Sequence, residues 1–62
     1  MNYQSKIKEL RELMLLTQTE FAELLGVSFA TVNRWENGHC QPTMKQKRAL
    51  KKLFDEHNLE GE

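Results

Sequence analysis

TQTEFAELLGVSFATVNRWENG, residues Thr17 to Gly38, holds two short helices and the turn that joins them. Thr17-Gln18-Thr19-Glu20 has the form of a capping box, in which the Thr17 hydroxyl accepts from the Glu20 amide and the Glu20 carboxylate accepts from the Thr17 amide. A helix of about eight residues is expected to start there, with Phe21, Ala22 and Leu25 as its buried stripe. Gly26 stands where a left-handed C-cap is needed, a conformation that costs other residues more. Ser28 is a good N-cap for a second helix running to about Glu36, in which Val32 and Trp35 give the i, i+3 inward spacing, and Asn37-Gly38 ends it. Helices this short survive only by packing. Phe21, Ala22, Leu25 and Val27 must therefore meet Val32 and Trp35. Phe29, Ala30, Asn33, Arg34 and Asn37 are left on the opposite, outward face.

Upstream, Ile7, Leu10 and Met14 repeat at amphipathic spacing and predict a helix from about Tyr3 to Met14, with Leu16 following into the core. Downstream of Pro42, Thr43-Met44-Lys45-Gln46 forms a second capping box, and Ala49, Leu50, Leu53 and Phe54 supply the apolar stripe of a last helix. No segment alternates as a strand would. The expectation is a compact all-α bundle of four short helices, with a fifth as the alternative, and a tail over residues 58–62 that frays.

With 62 residues, 39% hydrophobic and 29% charged, the chain has the composition of an ordinary globular protein and the length of one domain. Its expected stability is small, about 3 to 9 kcal/mol. The longest apolar run, Leu13 to Leu16, is too short to span a membrane, no signal-peptide pattern opens the chain, and the expected location is the cytoplasm. Cys40 is the single cysteine and rules out an internal disulfide. His39, Cys40 and His57 lack zinc-site spacing and read as solvated positions, so neither metal nor cofactor is expected.

Formal net charge is zero, which argues against a nucleic-acid partner until the distribution is considered. Lys45, Lys47, Arg48, Lys51 and Lys52 fall between His39 and Lys52 with no acid among them, whereas Asp55, Glu56, Glu60 and Glu62 close the chain. Either this is a local basic surface or a solvated helix face followed by an acidic tail.

Two short helices joined at Gly26-Val27-Ser28 have the geometry of a helix-turn-helix unit, whose second helix fits a DNA major groove. The stretch also closely resembles the helix-turn-helix of the Cro/C1-type (xenobiotic-response-element-type) repressor family. The likeness lies in Gln18, Phe21-Ala22, Gly26-Val27-Ser28 and Trp35-Glu36-Asn37-Gly38, with Ile7, Leu10, Arg11 and Pro42 outside the motif, and spans about Ile7 to Phe54.

The resemblance implies a transcriptional regulator of the repressor kind that binds double-stranded DNA. It assigns Phe29, Ala30, Asn33 and Arg34 to base edges. Chemistry agrees, since Arg34 can pair with guanine, Asn33 with adenine, and Ala30 or Phe29 can pack on a thymine methyl. Phosphate contacts are expected from Gln18, Thr19, Ser28, Thr31, Asn37, His39 and Lys45. Trp35 is a core residue, and Glu36, an acid that opposes the helix dipole, is expected to pair with Arg11 of the first helix. Phe29 is equally placed to pack against a neighbouring helix, whereas Gln18, an exposed polar residue if taken alone, is assigned to phosphate in this setting.

Two departures from the family pattern stand out. Leu15 occupies a position where glycine is common, so either it adopts left-handed geometry or the loop is built differently. Leu59 alone offers little apolar surface for the fifth, dimer-forming helix of many members, which leaves a homodimer on a palindromic site as an open expectation. The chain is too small to enclose a catalytic pocket easily, and no enzyme activity is expected. The competing class is a protein-interaction module, such as an antitoxin-type domain binding a partner protein through Phe29 or the last helix.

Overall fold

A computed structural model describes residues 3–59 and contains four helices within them: α1 (Tyr3–Leu13), α2 (Gln18–Leu25), α3 (Phe29–Glu36) and α4 (Met44–Glu56). No strand occurs among the described residues. The fold is all-α.

Local chemistry fixes where α2, α3 and α4 begin. Both capping boxes form, with Glu20 N–H donating to Thr17 Oγ1 at 3.1 Å and Thr17 N–H returning to Glu20 Oε1 at 2.9 Å, and Thr43 and Gln46 repeating the exchange. Ser28 caps α3 by accepting from Thr31 N–H at 3.2 Å.

The helices also end alike. Each stops on one left-handed residue, Leu15, Gly26, Gly38 or Asn58, with φ of 60°, 72°, 77° and 61°. The next amide reaches back over the last turn: Leu16 N–H to Arg11 O, Val27 to Ala22, His39 to Arg34 and Leu59 to Phe54, at 2.8 to 3.1 Å. These are Schellman closures, which satisfy carbonyls that a helix end leaves open. Leu15 therefore adopts the left-handed geometry and the loop is built as glycine would build it. Its side chain gains nothing in exchange, being 89% exposed.

Eight side chains form the core: Ile7 and Leu10 from α1, Phe21 and Ala22 from α2, Val32 and Trp35 from α3, Leu50 and Phe54 from α4. Tyr3, Met14, Leu16, Leu25, Val27, Leu53 and Leu59 pack against them. Three sequence expectations shift in detail. Helix α1 ends at Leu13, with Met14 in the turn. Ala49 is exposed, so Leu50 and Phe54 carry the buried stripe of α4 and Leu53 flanks it. Asn58 and Leu59, counted in the fraying tail, are held by the α4 closure, while the rest of that tail lies outside the described residues.

Candidate nucleic-acid interface

Helix α3 packs on both α1 and α2, and its buried stripe is Val32 and Trp35. A helix held on one side by two others shows its remaining face to solvent. Phe29, Ala30, Arg34 and Asn37 are exposed there and Asn33 is half-buried. Phe29 is 50% exposed, so half of the residue's surface is left out of the packing that sequence alone allowed for it.

Beneath that face runs a polar network joining three helices. Arg11 Nε donates to Glu36 Oε2 at 2.7 Å and Arg11 Nη2 to Glu36 Oε1 at 3.1 Å, a two-pronged pair between α1 and the end of α3. Such geometry suits the planar guanidinium, and the hydrogen bond to Glu36 raises the Arg11 pKa above its ordinary value. Arg11 Nη1 also donates to Leu16 O at 3.0 Å, tying the same side chain to the turn after Leu15. The acid at the end of α3 is thereby neutralised within the fold.

Gln18, at the first position of α2, adds to this. Its Nε2 donates to Glu36 Oε1 at 3.0 Å and, at a longer 3.5 Å, to Asn33 Oδ1. Asn37 Nδ2 donates to the same Asn33 oxygen at 3.2 Å. Gln18 is thus half-buried and anchored from below, at the α2 N-terminus where unpaired amides favour an anion. Thr19 is exposed beside it. Ser28 Oγ and Thr31 Oγ1 share a hydrogen bond of 2.9 Å at the start of α3. His39 lies exposed in the loop and Lys45 in the first turn of α4. The Arg34 side chain makes no hydrogen bond or ion pair with the described residues, which leaves its five donors open.

The family model for helix-turn-helix domains matches residues 7–57. The chain belongs to the Cro/C1-type helix-turn-helix family. This helix-turn-helix domain is 42% identical over 52 residues to the type II methyltransferase M.SsoII of Shigella sonnei, covering 79% of the chain and 14% of that protein. It is 35% identical over 54 residues to the HTH-type transcriptional activator BcrR of Enterococcus faecalis, covering 87% of the chain and 26% of that protein. Identity is 39% over 51 residues to a Pyrococcus furiosus protein named as an HTH-type transcriptional regulatory protein, covering 82% of the chain and 16% of that protein. The chain thus spans about a quarter or less of the curated relatives it matches. No solved structure matches it.

Residue spacing left two features of the helix-turn-helix domain unseen. The Asn33–Asn37 bond joins side chains four apart on one helix, a spacing at which side chains are neighbours, so that signal was present. The bonds from Gln18 to Asn33 and Glu36 cross 15 and 18 residues and depend on the angle between α2 and α3, which no local pattern reports.

Proposed function

We propose that the chain is a sequence-specific double-stranded DNA-binding domain of a transcriptional regulator, with α3 in the major groove. The observation that carries this reading is the exposed α3 face, with Arg34 unpaired, held beside the α2 N-terminus in a chain of the helix-turn-helix family. Two curated relatives bear regulator names, which supports the same reading. Phe29, Ala30, Asn33 and Arg34 are the proposed base-facing residues. Thr19, Ser28, Thr31, Asn37, His39 and Lys45 are the proposed phosphate-facing ones, together with the main-chain amide of Gln18, whose side-chain NH2 is turned to Glu36 and Asn33. The role is that of a binding module rather than an enzyme. Repression is the proposed direction, on the resemblance to the Cro/C1-type repressor family. No helix among the described residues is long and apolar enough to cross a membrane, and the cytoplasm is the proposed location.

Arg34 is the single charge on the outward face of α3, so one copy offers little grip. Two copies on a palindromic site are the proposed arrangement. Selection from a random duplex library at low salt, with the chain alone and as a tethered pair, is expected to enrich a motif, with mirrored half-sites for the pair. Failure to enrich any sequence in either form would sink the reading.

A second reading is favoured by one feature. Leu24, Leu25, Ala49 and Leu53, with Lys52 and Glu56 beside them, line an open groove of about 230 Å³ between α2 and α4, a surface suited to an amphipathic segment of a partner protein. Salt separates the two. DNA binding through several phosphates weakens steeply between about 50 and 200 mM salt, whereas an apolar interface changes little.

A further inference from the structure

We propose that Asn33 is a guanine-reading residue whose amide is held with its NH2 outward by a chain of hydrogen bonds that begins at Arg11. The inference rests on the DNA-binding reading and narrows it at one base pair. Glu36 is the anchor. Bound by Arg11 through both oxygens, its ionised carboxylate can only accept, so Gln18 must turn its NH2 group toward it. The same nitrogen lies 3.5 Å from Asn33 Oδ1, a long contact that places the oxygen rather than the NH2 of Asn33 on that side. Asn37 donates to that oxygen as well, so both of its lone pairs are engaged. Among the described residues, Asn33 Nδ2 has no acceptor, and it is this donor that the half-buried side chain presents at the outward face of α3.

The consequence overturns the base expected from residue type alone. An asparagine pairs with adenine through both amide atoms, accepting from N6 and donating to N7. With its oxygen committed to Gln18 and Asn37, Asn33 can only donate. Guanine offers two adjacent acceptors on its major-groove edge, O6 and N7, whereas an A·T pair sets the adenine N6 donor between its two acceptors, adenine N7 and thymine O4. Arg11, Glu36 and Gln18, none of them reaching the base, act here as positioning residues.

Two measurements on the intact chain test this. In the free protein, the Asn33 Nδ2 protons are expected to exchange with water as an unprotected amide does, and the Gln18 Nε2 protons several-fold more slowly; the reverse pattern overturns the proposal. In duplex selection, comparison with Asn33→Ala locates the base pair that Asn33 governs. That pair is expected to be G·C, preferred by about five-fold or more over A·T. Replacing its guanine with 7-deazaguanine, which lacks the N7 acceptor, is expected to weaken the wild type and leave Asn33→Ala unchanged. An A·T preference there, no change on Asn33→Ala, or indifference to 7-deazaguanine each refute the assignment.

Releasing the oxygen supplies the converse. Gln18→Met combined with Asn37→Ala is expected to raise the A·T to G·C affinity ratio at that pair by about five-fold. Asn37→Ala alone, an exposed change, is expected to shift it in the same direction by less, and an unmoved ratio in both variants counts against the proposal. If the wild type enriches no sequence at all, the DNA-binding reading falls and the base assignment falls with it. If a motif is enriched but its Asn33 pair is not G·C, only the base assignment falls.

Discussion

Leu15 and Arg11 sit at the same turn, one straining it and the other bracing it. At φ 60°, Leu15 occupies a region that costs an L-residue about 1 to 2 kcal/mol, and its exposed side chain returns little packing. Leu15→Gly removes the strain but loosens the unfolded chain, which takes back about 0.4 to 1 kcal/mol. A net gain of roughly 0.5 to 1 kcal/mol is expected, seen as a melting temperature a few degrees higher, while Leu15→Ala brings no gain. The Arg11–Glu36 pair predicts an asymmetry. Arg11→Ala leaves the Glu36 carboxylate, 6% exposed, with its charge unpaired and only the neutral Gln18 amide hydrogen-bonded to it, and takes the donor from Leu16 O. Glu36→Ala leaves Arg11 free to turn to water while keeping Leu16. Urea denaturation is expected to show the Arg11 variant losing about 1 to 3 kcal/mol and the Glu36 variant less; the opposite order contradicts this account. The sequence spoke unevenly at this scale. The family resemblance pairs Arg11 with Glu36 and singles out Leu15. The internal partners of Gln18 were invisible, because a side chain's choice between an internal acceptor and solvent depends on neighbours distant in the chain.

Helices α2 and α3 were legible almost residue by residue because their starts and stops are written in local chemistry. Thr17, Gly26 and Ser28 act on backbone groups within a few positions, so sequence and structure coincide there. Helix α4 was harder. Ala49 fits an apolar stripe by spacing, yet a helix 13 residues long meets its neighbours only along part of its surface, and Ala49 falls beyond that part. Trp35 tests how far the elements depend on each other. It is 1% exposed, and α3 is held by packing on α1 and α2 rather than by its own eight residues. Trp35→Ala is expected to cost about 3 to 5 kcal/mol, a large part of the roughly 3 to 9 kcal/mol available to a chain of this size. Helical circular dichroism at 37 °C is then expected to fall across the whole molecule. A variant that kept native helicity and lost only DNA binding would assign Trp35 to the interface instead of the core.

For the whole molecule, zero net charge conceals a sorted surface. Of the five bases in α4, Lys47 lies over the Tyr3 ring, 5.2 Å from its centroid, and Lys51 pairs with Asp55 at 3.7 Å. Lys45, Arg48 and Lys52 have no such partner among the described residues, and their i, i+3, i+7 spacing puts them on one side of the helix. Lys45 borders a cleft with Gly26 and Val27 of the helix-turn-helix turn, so this side adjoins the proposed interface. Glu9 and Glu12 of α1 line a hollow with Lys8 and Glu36, where Glu9 pairs with Lys6 at 3.6 Å and Glu36 with Arg11. Arg34 and Lys45 should therefore fail in different ways. Each phosphate neutralised contributes about −0.9 to the slope of log affinity against log salt. Lys45→Ala, if it removes one such contact, is expected to make that slope shallower by about 1 and to weaken all sequences alike. Arg34→Ala is expected to cost about 1 to 3 kcal/mol on the selected site and to relax preference at one base pair, with the slope nearly unchanged. Titrations at several salt concentrations, on the selected site and on a scrambled duplex, separate the two effects. If Arg34→Ala flattened the salt slope while base preference survived, α3 would be gripping the backbone rather than reading the groove.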